Sequence, residues 1–167
     1  MAWTLLLAAG QGNRLASATG GLAKQFLDWK GAPLYWESAL VFSRCARVEG
    51  LVFVFPEACI DEERERVAGL MRNASLGIPW KVVAGGALRQ DSVRNGLSAL
   101  PDDCMEVLIH DAARPFVSPV LVNRILDGLH GEASGECVAA CIPGIPVVDT
   151  IKVMDEEKKV EIGRAHV

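Results

Sequence analysis

No run of about 18 apolar residues occurs anywhere in the 167-residue sequence, so no segment reads as an ordinary membrane-spanning helix. The amino end has no signal-peptide pattern either, and neither export nor membrane insertion is expected. Cysteine occurs five times, at 45, 59, 104, 137 and 141, but never as a C-x-x-C pair. An odd, dispersed set is neither a disulfide frame nor a zinc site, and reads as reduced thiols in the cytoplasm. His110, His130 and His166 are too scattered to complete a metal site. A basic excess is also missing: the net charge of −4 argues against a general nucleic-acid binder. Repeats and linkers are absent.

What is present is a folded-domain composition, half apolar and 23% charged, at a length that suits one α/β domain with a core of its own. Trp3 to Ala8 is a short apolar run that leads directly into Gly10, Gly12 and Arg14. Glycines at 10 and 12 permit φ > 0 and close approach of backbone N–H groups to an anion. Arg14 and Lys24 are candidate cations for a polyphosphate. The spelling is neither a P-loop nor the dinucleotide fingerprint. By itself the loop reads equally as a glycine turn between two elements. Residues 1–50 carry five cations against three acids, so the loop sits in the basic part of an acidic chain.

Further along, apolar runs alternate with helical spacing. Strands are expected at Leu51–Phe55, Pro79–Ala84, Met105–Ile109 and Cys137–Ile142. Between them lie a helix with Pro33 in its first turn, one carrying Ile60, Val67, Leu70 and Met71 with a Glu62–Arg66 pair, and one over Arg89–Leu100 with a Val93, Leu97, Leu100 stripe. A last helix is capped by Ser118-Pro119, presents Leu121, Ile125 and Leu129, and ends at Gly131. The alternation implies a mostly parallel sheet with helices on both faces, a Rossmann-like three-layer arrangement. In such sheets ligands sit beyond the carboxyl ends of the strands. Gly10–Lys24, Gly85–Ser92, His110–Pro115 and Asp149–Lys152 are therefore expected to converge. Gly85-Gly86 opens a helix whose amides suit the edge of a flat base. Asp111 and Arg114 follow an apolar strand directly; the alternatives are a surface ion pair, or Asp111 as a hard oxygen ligand for Mg²⁺ completed by phosphate oxygens and water.

Ala8-Ala9-Gly10-x-Gly12-x-Arg14 with Lys24-Gln25-Phe26, Gly85-Gly86-x-x-Arg89-Gln90-Asp91-Ser92-Val93, His110-Asp111-Ala112-Ala113-Arg114-Pro115 and Pro146-Val147-x-Asp149-Thr150-Ile151-Lys152 occur in this order. Together they resemble the 2-C-methyl-D-erythritol 4-phosphate cytidylyltransferase family, a nucleotidyltransferase of the non-mevalonate isoprenoid pathway. The resemblance implies transfer of a cytidylyl group from CTP to a polyol phosphate, with release of pyrophosphate. It implies Arg14 and Lys24 as catalytic cations and Ala8, Ala9, Gly10, Gln11, Gly12, Gly85, Gly86, Arg89 and Ser92 as CTP-binding. Asp111 would lie on the Mg²⁺ and ribose side, while Asp111, Arg114 and Thr150 would contact the acceptor. A homodimer formed through an arm near Pro146–Val153 is implied as well. The location would be a bacterial cytoplasm, or a plastid stroma for a chain lacking its transit segment. An acceptor such as ribitol 5-phosphate, or an inactive CTP-binding fragment, are the other readings.

The chain departs from the family pattern at three places. The Arg14–Lys24 connection is longer and contains Gly20-Gly21, with Ala23 in place of a proline, and Leu88 stands where an acid is usual. The domain is expected to run over residues 1–160 and to be incomplete at its carboxyl end. Residues 161–167 match a reading frame of a sequencing-library adapter and are read as an artificial tail with no role in the fold. Weak or absent turnover is the expected consequence.

Overall fold

The structure is a computed structural model that describes residues 1–10, 22–131, 135–146, 152–154 and 160–162. Strand β1, Ala2–Leu7, lies inside a four-stranded sheet. Its neighbours are β4, Val48–Phe55, and β6, Glu106–Asp111, with β5, Trp80–Ala84, beyond β4. The order is β5-β4-β1-β6, and every pairing is parallel. β1 and β4 are buried almost throughout, which is why they read as continuous apolar runs instead of alternating ones.

Alternate residues of the central strands go to opposite faces. Leu6, Phe53 and Phe55 belong to a core with Tyr35, Trp36, Ala39 and Phe42 of α1, Leu34–Ser43, Val67 of α2, Ile60–Asn73, and Val122 and Leu126 of α4, Pro119–Leu129. Trp3, Leu5, Val52 and Val54 form the second core. Helix α3, Arg89–Leu97, covers that side, since its Gly96 lies against Leu5 and Val54. The expected layers, with helices on both faces of a parallel sheet, are therefore present.

Several local expectations shift. Pro33 is the N-cap of α1, one position before the first turn, and closes a hairpin unseen in the sequence: β2, Asp28–Trp29, pairs with β3, Ala32–Pro33. Lys30 and Gly31 have φ of 55° and 82°, the sign pattern of a tight hairpin turn. In α3 the buried positions are Ser92 and Gly96, whereas Leu97 is exposed. A Cβ on Gly96 would stand 3.0 Å from Leu5 Cδ1. The helix thus rests on small residues, and a stripe of large apolar ones would hold it off the sheet. In α4, Val122 and Leu126 are the buried residues, with Leu121, Ile125 and Leu129 flanking them. Its cap is as expected, Ser118 Oγ accepting from Leu121 N–H at 3.2 Å, and Gly131 follows with φ of 71°.

The fifth strand expected at Cys137–Ile142 is not formed. Val138 N–H donates to the Leu129 carbonyl at 3.1 Å, so this segment meets the end of α4 rather than the free edge of β6. An apolar run alone says nothing of which edge it will find. Further on, β7, Lys152–Met154, pairs antiparallel with β8, Val160–Ile162. β8 includes Glu161 and Ile162, the first residues of the stretch set aside above. Residues 163–167 lie outside the described residues.

Candidate active site

Three backbone bonds bring the carboxyl ends of the strands level. Ala8 N–H donates to Val54 O at 2.8 Å, Gly85 N–H to Phe55 O at 2.7 Å, and Ala112 N–H to Leu7 O at 3.0 Å. The segments leaving β1, β4, β5 and β6 therefore surround one cleft of about 870 Å³, a volume that suits a small-molecule ligand. Ala9, Gly10 and Lys24 line one side, Gly85, Gly86, Arg89 and Ser92 another, and Asp111 and Arg114 a third. Ala8, buried below them, supplies the step from strand to loop. Gln11, Gly12, Arg14 and Thr150 lie outside the described residues, as does Asp149.

Lys24 opens a short 3₁₀ turn, Lys24–Phe26. The ring of Phe26 anchors the turn, with its centroid 6.1 Å from those of both Tyr35 and Phe55. A flexible cation is thus mounted on a rigid base. Gln25, between them, is buried, and its Nε2 donates to the carbonyls of Ala8 and Gly10, each at 2.7 Å. Gly10 itself does not take φ > 0, and a Cβ there would meet nothing within 4 Å among the described residues. The expected conformational need for glycine does not hold at this position; the space beside it opens toward the cleft.

At Gly85 the need is steric. A Cβ would come 2.4 Å from Ala9 Cβ and 2.8 Å from Ser92 Oγ, so only glycine lets the end of β5 reach the loop after β1. Ser92 Oγ accepts from Gly86 N–H at 3.1 Å and donates to the Leu88 carbonyl at 3.3 Å. Asp91 accepts from Leu88 N–H at 3.2 Å, as in a capping box. The amides of Gly85, Gly86 and Leu88 are therefore committed within the protein, and any base edge is read by other groups of this segment. Ser92 shapes the turn.

Asp111 is the last residue of β6, two residues beyond the strand end expected from sequence. Its Oδ1 accepts from Arg89 Nη2 at 3.0 Å, and its Oδ2 lies 3.4 Å from Arg114 Nε. Both readings of this acid remain compatible with the geometry: it is ion-paired, and it stands at the cleft. The pairs are exposed enough to exchange at little cost. Among the described residues no cluster of three His, Cys, Asp or Glu side chains is placed to hold a metal. A single carboxylate beside a phosphate site nevertheless fits Mg²⁺, which keeps water and substrate oxygens in its shell.

His110, just before it, is pushed below the usual imidazole range by burial, against the opposing pull of the Arg114 carbonyl and of Asp111. Its Nε2 is 3.0 Å from that carbonyl and 3.3 Å from Ser38 Oγ, so the neutral ring carries its hydrogen on Nε2. Since the folded value lies below the unfolded value near 6.5, this stability is present above pH 6.5 and lost as pH falls through the folded value. Urea midpoints measured from pH 7.5 to 5 should fall over that window, and the fall should flatten in His110→Gln.

Two features of the site escaped the sequence. Pro56, Glu57 and Ala58, after β4, also line the cleft; the strand-end rule applied to Leu51–Phe55 points to them, but their residue types do not. Gln25 was visible only as the middle of Lys24-Gln25-Phe26.

Comparison with known proteins gives a consistent result. The family profile described as 2-C-methyl-D-erythritol 4-phosphate cytidylyltransferase, IspD, matches residues 2–164. A bifunctional enzyme IspD/IspF of Oleidesulfovibrio alaskensis is 52% identical over 154 residues, which are 92% of this chain and 37% of that protein. A 2-C-methyl-D-erythritol 4-phosphate cytidylyltransferase of Clostridium botulinum is 33% identical over 153 residues, 92% of this chain and 61% of that protein. The chain thus spans little more than a third of the bifunctional relative. The crystal structure of 4-diphosphocytidyl-2C-methyl-D-erythritol synthase from Anaerococcus prevotii shares the fold, with a TM-score of 0.72 at 19% identity over 98% of this chain and 64% of that one.

Proposed function

The chain belongs to the 2-C-methyl-D-erythritol 4-phosphate cytidylyltransferase family, and from that premise we propose that it transfers the cytidylyl group of CTP to 2-C-methyl-D-erythritol 4-phosphate. The products are 4-diphosphocytidyl-2-C-methyl-D-erythritol and pyrophosphate. The observation that carries this reading is the gathering of Lys24, the Gly85–Arg89 turn, Asp111 and Arg114 around one cleft at the carboxyl end of a parallel sheet.

The chemistry asks the protein for placement and positive charge, not for a nucleophile. A phosphate oxygen of the acceptor forms the new bond to the α-phosphorus. The bond from that phosphorus to the bridging oxygen breaks, and its electron pair leaves with pyrophosphate. Lys24 offsets charge as it gathers on the α-phosphate and the leaving group. Arg14 is assigned the same task by the family pattern, and Ala8, Ala9, Gly10, Gln11 and Gly12 the triphosphate. Gly85, Gly86 and Ser92 would form the cytidine side, and Arg89 would bind CTP as well. Arg114 and Thr150 would take the acceptor. Mg²⁺, held by Asp111, would supply charge neutralisation of the phosphates. A carboxylate gripped by two exposed guanidiniums can trade them for a cation, leaving Arg89 and Arg114 free for phosphate oxygens.

The single domain over 1–160, a homodimer through an arm near Pro146–Val153, and residence in a bacterial cytoplasm belong to the same proposal. Bacterial sources of the relatives and the dispersed cysteines support the location. Among the described residues no helix is long and apolar enough to cross a membrane.

Pyrophosphate release with CTP and Mg²⁺, compared between methylerythritol phosphate and ribitol 5-phosphate, tests the reading. Release should depend on methylerythritol phosphate. Preference for ribitol 5-phosphate would reassign the acceptor, and CTP-dependent thermal stabilisation without any release would leave a binding module.

A further inference from the structure

The side chain of Gln25 joins two parts of the cleft that the sequence separates. Its amide nitrogen has two hydrogens and uses them on two carbonyls, those of Ala8 and Gly10, each 2.7 Å away. Gln25 is 4% exposed and its bond to the Ala8 carbonyl is buried, so water is not an alternative partner there. On one flank is Lys24, at the cleft; on the other is Phe26, set among the rings of Tyr35 and Phe55. A trans peptide carries its N–H opposite its C=O. Turning the Ala8 carbonyl onto Gln25 therefore turns the Ala9 N–H of the same peptide unit away from it, the orientation an anion requires. Ala8 is held from both ends, because its N–H is already spent on Val54 O.

We propose that Gln25 is a positioning residue that sets the loop after β1 and the ammonium group of Lys24 in one register for a triphosphate. The role rests on the cytidylyltransferase reading and concerns a residue that lines the cleft but spends both hydrogens of its amide nitrogen on the protein's own backbone. Glutamine suits it for a chemical reason. Glutamate of the same length has no donor when ionised and would face two carbonyl oxygens with a negative charge. Methionine matches the length, leaves the buried Ala8 carbonyl unpaired and releases the more exposed Gly10 carbonyl.

Calorimetric titration of the full chain with CTP, CMP and inorganic tripolyphosphate, each with Mg²⁺, tests the proposal on wild type, Gln25→Met and Gln25→Glu. Wild type should prefer CTP over CMP, and both variants should lose that preference tenfold or more. Affinity for tripolyphosphate should fall with it, while CMP affinity stays within about threefold. Amide exchange of the Trp3–Gly10 peptide should quicken in both variants while the exchange of β4 is unchanged. Equal loss for CTP and CMP would mark a merely structural residue and overturn the proposal, as would variants that keep the preference. A wild-type chain that binds none of the three overturns the nucleotide reading itself, which is a different result from a wild type that binds and a variant that does not differ.

Discussion

Replacing Lys24 with alanine should lower kcat/KM for pyrophosphate release by about 10²–10³-fold, the usual effect of removing one preorganised donor from a site of developing negative charge. That corresponds to roughly 3–4 kcal/mol of transition-state stabilisation. CTP binding should suffer less, because in the proposed site the triphosphate of the ground state would also meet Arg14 and Mg²⁺. The split follows from where Lys24 stands: its turn is fastened by Phe26 and Gln25, so the ammonium group pays little reorganisation when charge appears. Stability should hardly change, since Lys24 itself is at the cleft and not in the core. Lys24→Arg should restore part of the rate, retaining charge while spreading it over a planar group of different reach. Steady-state kinetics beside a urea unfolding curve for each variant checks this. An alanine variant within threefold of wild type would remove Lys24 from the chemistry.

The second large effect is expected at Gly85. Gly85→Ala places a methyl group 2.4 Å from Ala9 Cβ and 2.8 Å from Ser92 Oγ, distances that force either the β5 end or the loop after β1 to move. Overpacking of this kind costs about 1–3 kcal/mol. The greater consequence is for the ligand. Ser92 Oγ holds the Gly86 amide, so displacing Ser92 undoes the turn proposed to bind the cytidine side. Affinity for CTP should drop at least tenfold, with a lower thermal midpoint. Gly10→Ala is the informative partner, because its added Cβ meets nothing among the described residues and its φ is not positive. That variant should keep its thermal midpoint and lose affinity only if the open space beside Gly10 belongs to the nucleotide. Thermal midpoints measured with and without CTP separate the two effects.

The legibility of this chain was uneven for physical reasons. Buried parallel strands are short apolar runs, and β1, β4 and β5 were recognisable as such because both faces of the inner strands are covered. Glycine pairs and charges placed just after those runs marked the segments that converge, and Gly85, Asp111 and Arg114 do line one cleft. The stripes of α3 and α4 were misplaced because apolar spacing counts large side chains. The α3 contact is made by Ser92 and Gly96, whose smallness is what the close approach demands. Cys137–Ile142 has the apolar run of a strand yet forms none, because hydrophobicity carries no information about a partner edge. The Lys30-Gly31 hairpin leaves no periodic signal because its strands are two residues each.

Local chemistry in the sequence therefore determined the α/β alternation, the strand ends and the kinds of charge available there, since each depends on neighbours within a few residues. Which carbonyls Gln25 would hold, that Asp111 would be gripped by Arg89 from the start of α3, and that Gly85 would press on Ala9 were decided only by the tertiary structure. Those contacts join residues 15 to 76 positions apart, and a pairing across that distance exists only once the sheet has set its strand order and register.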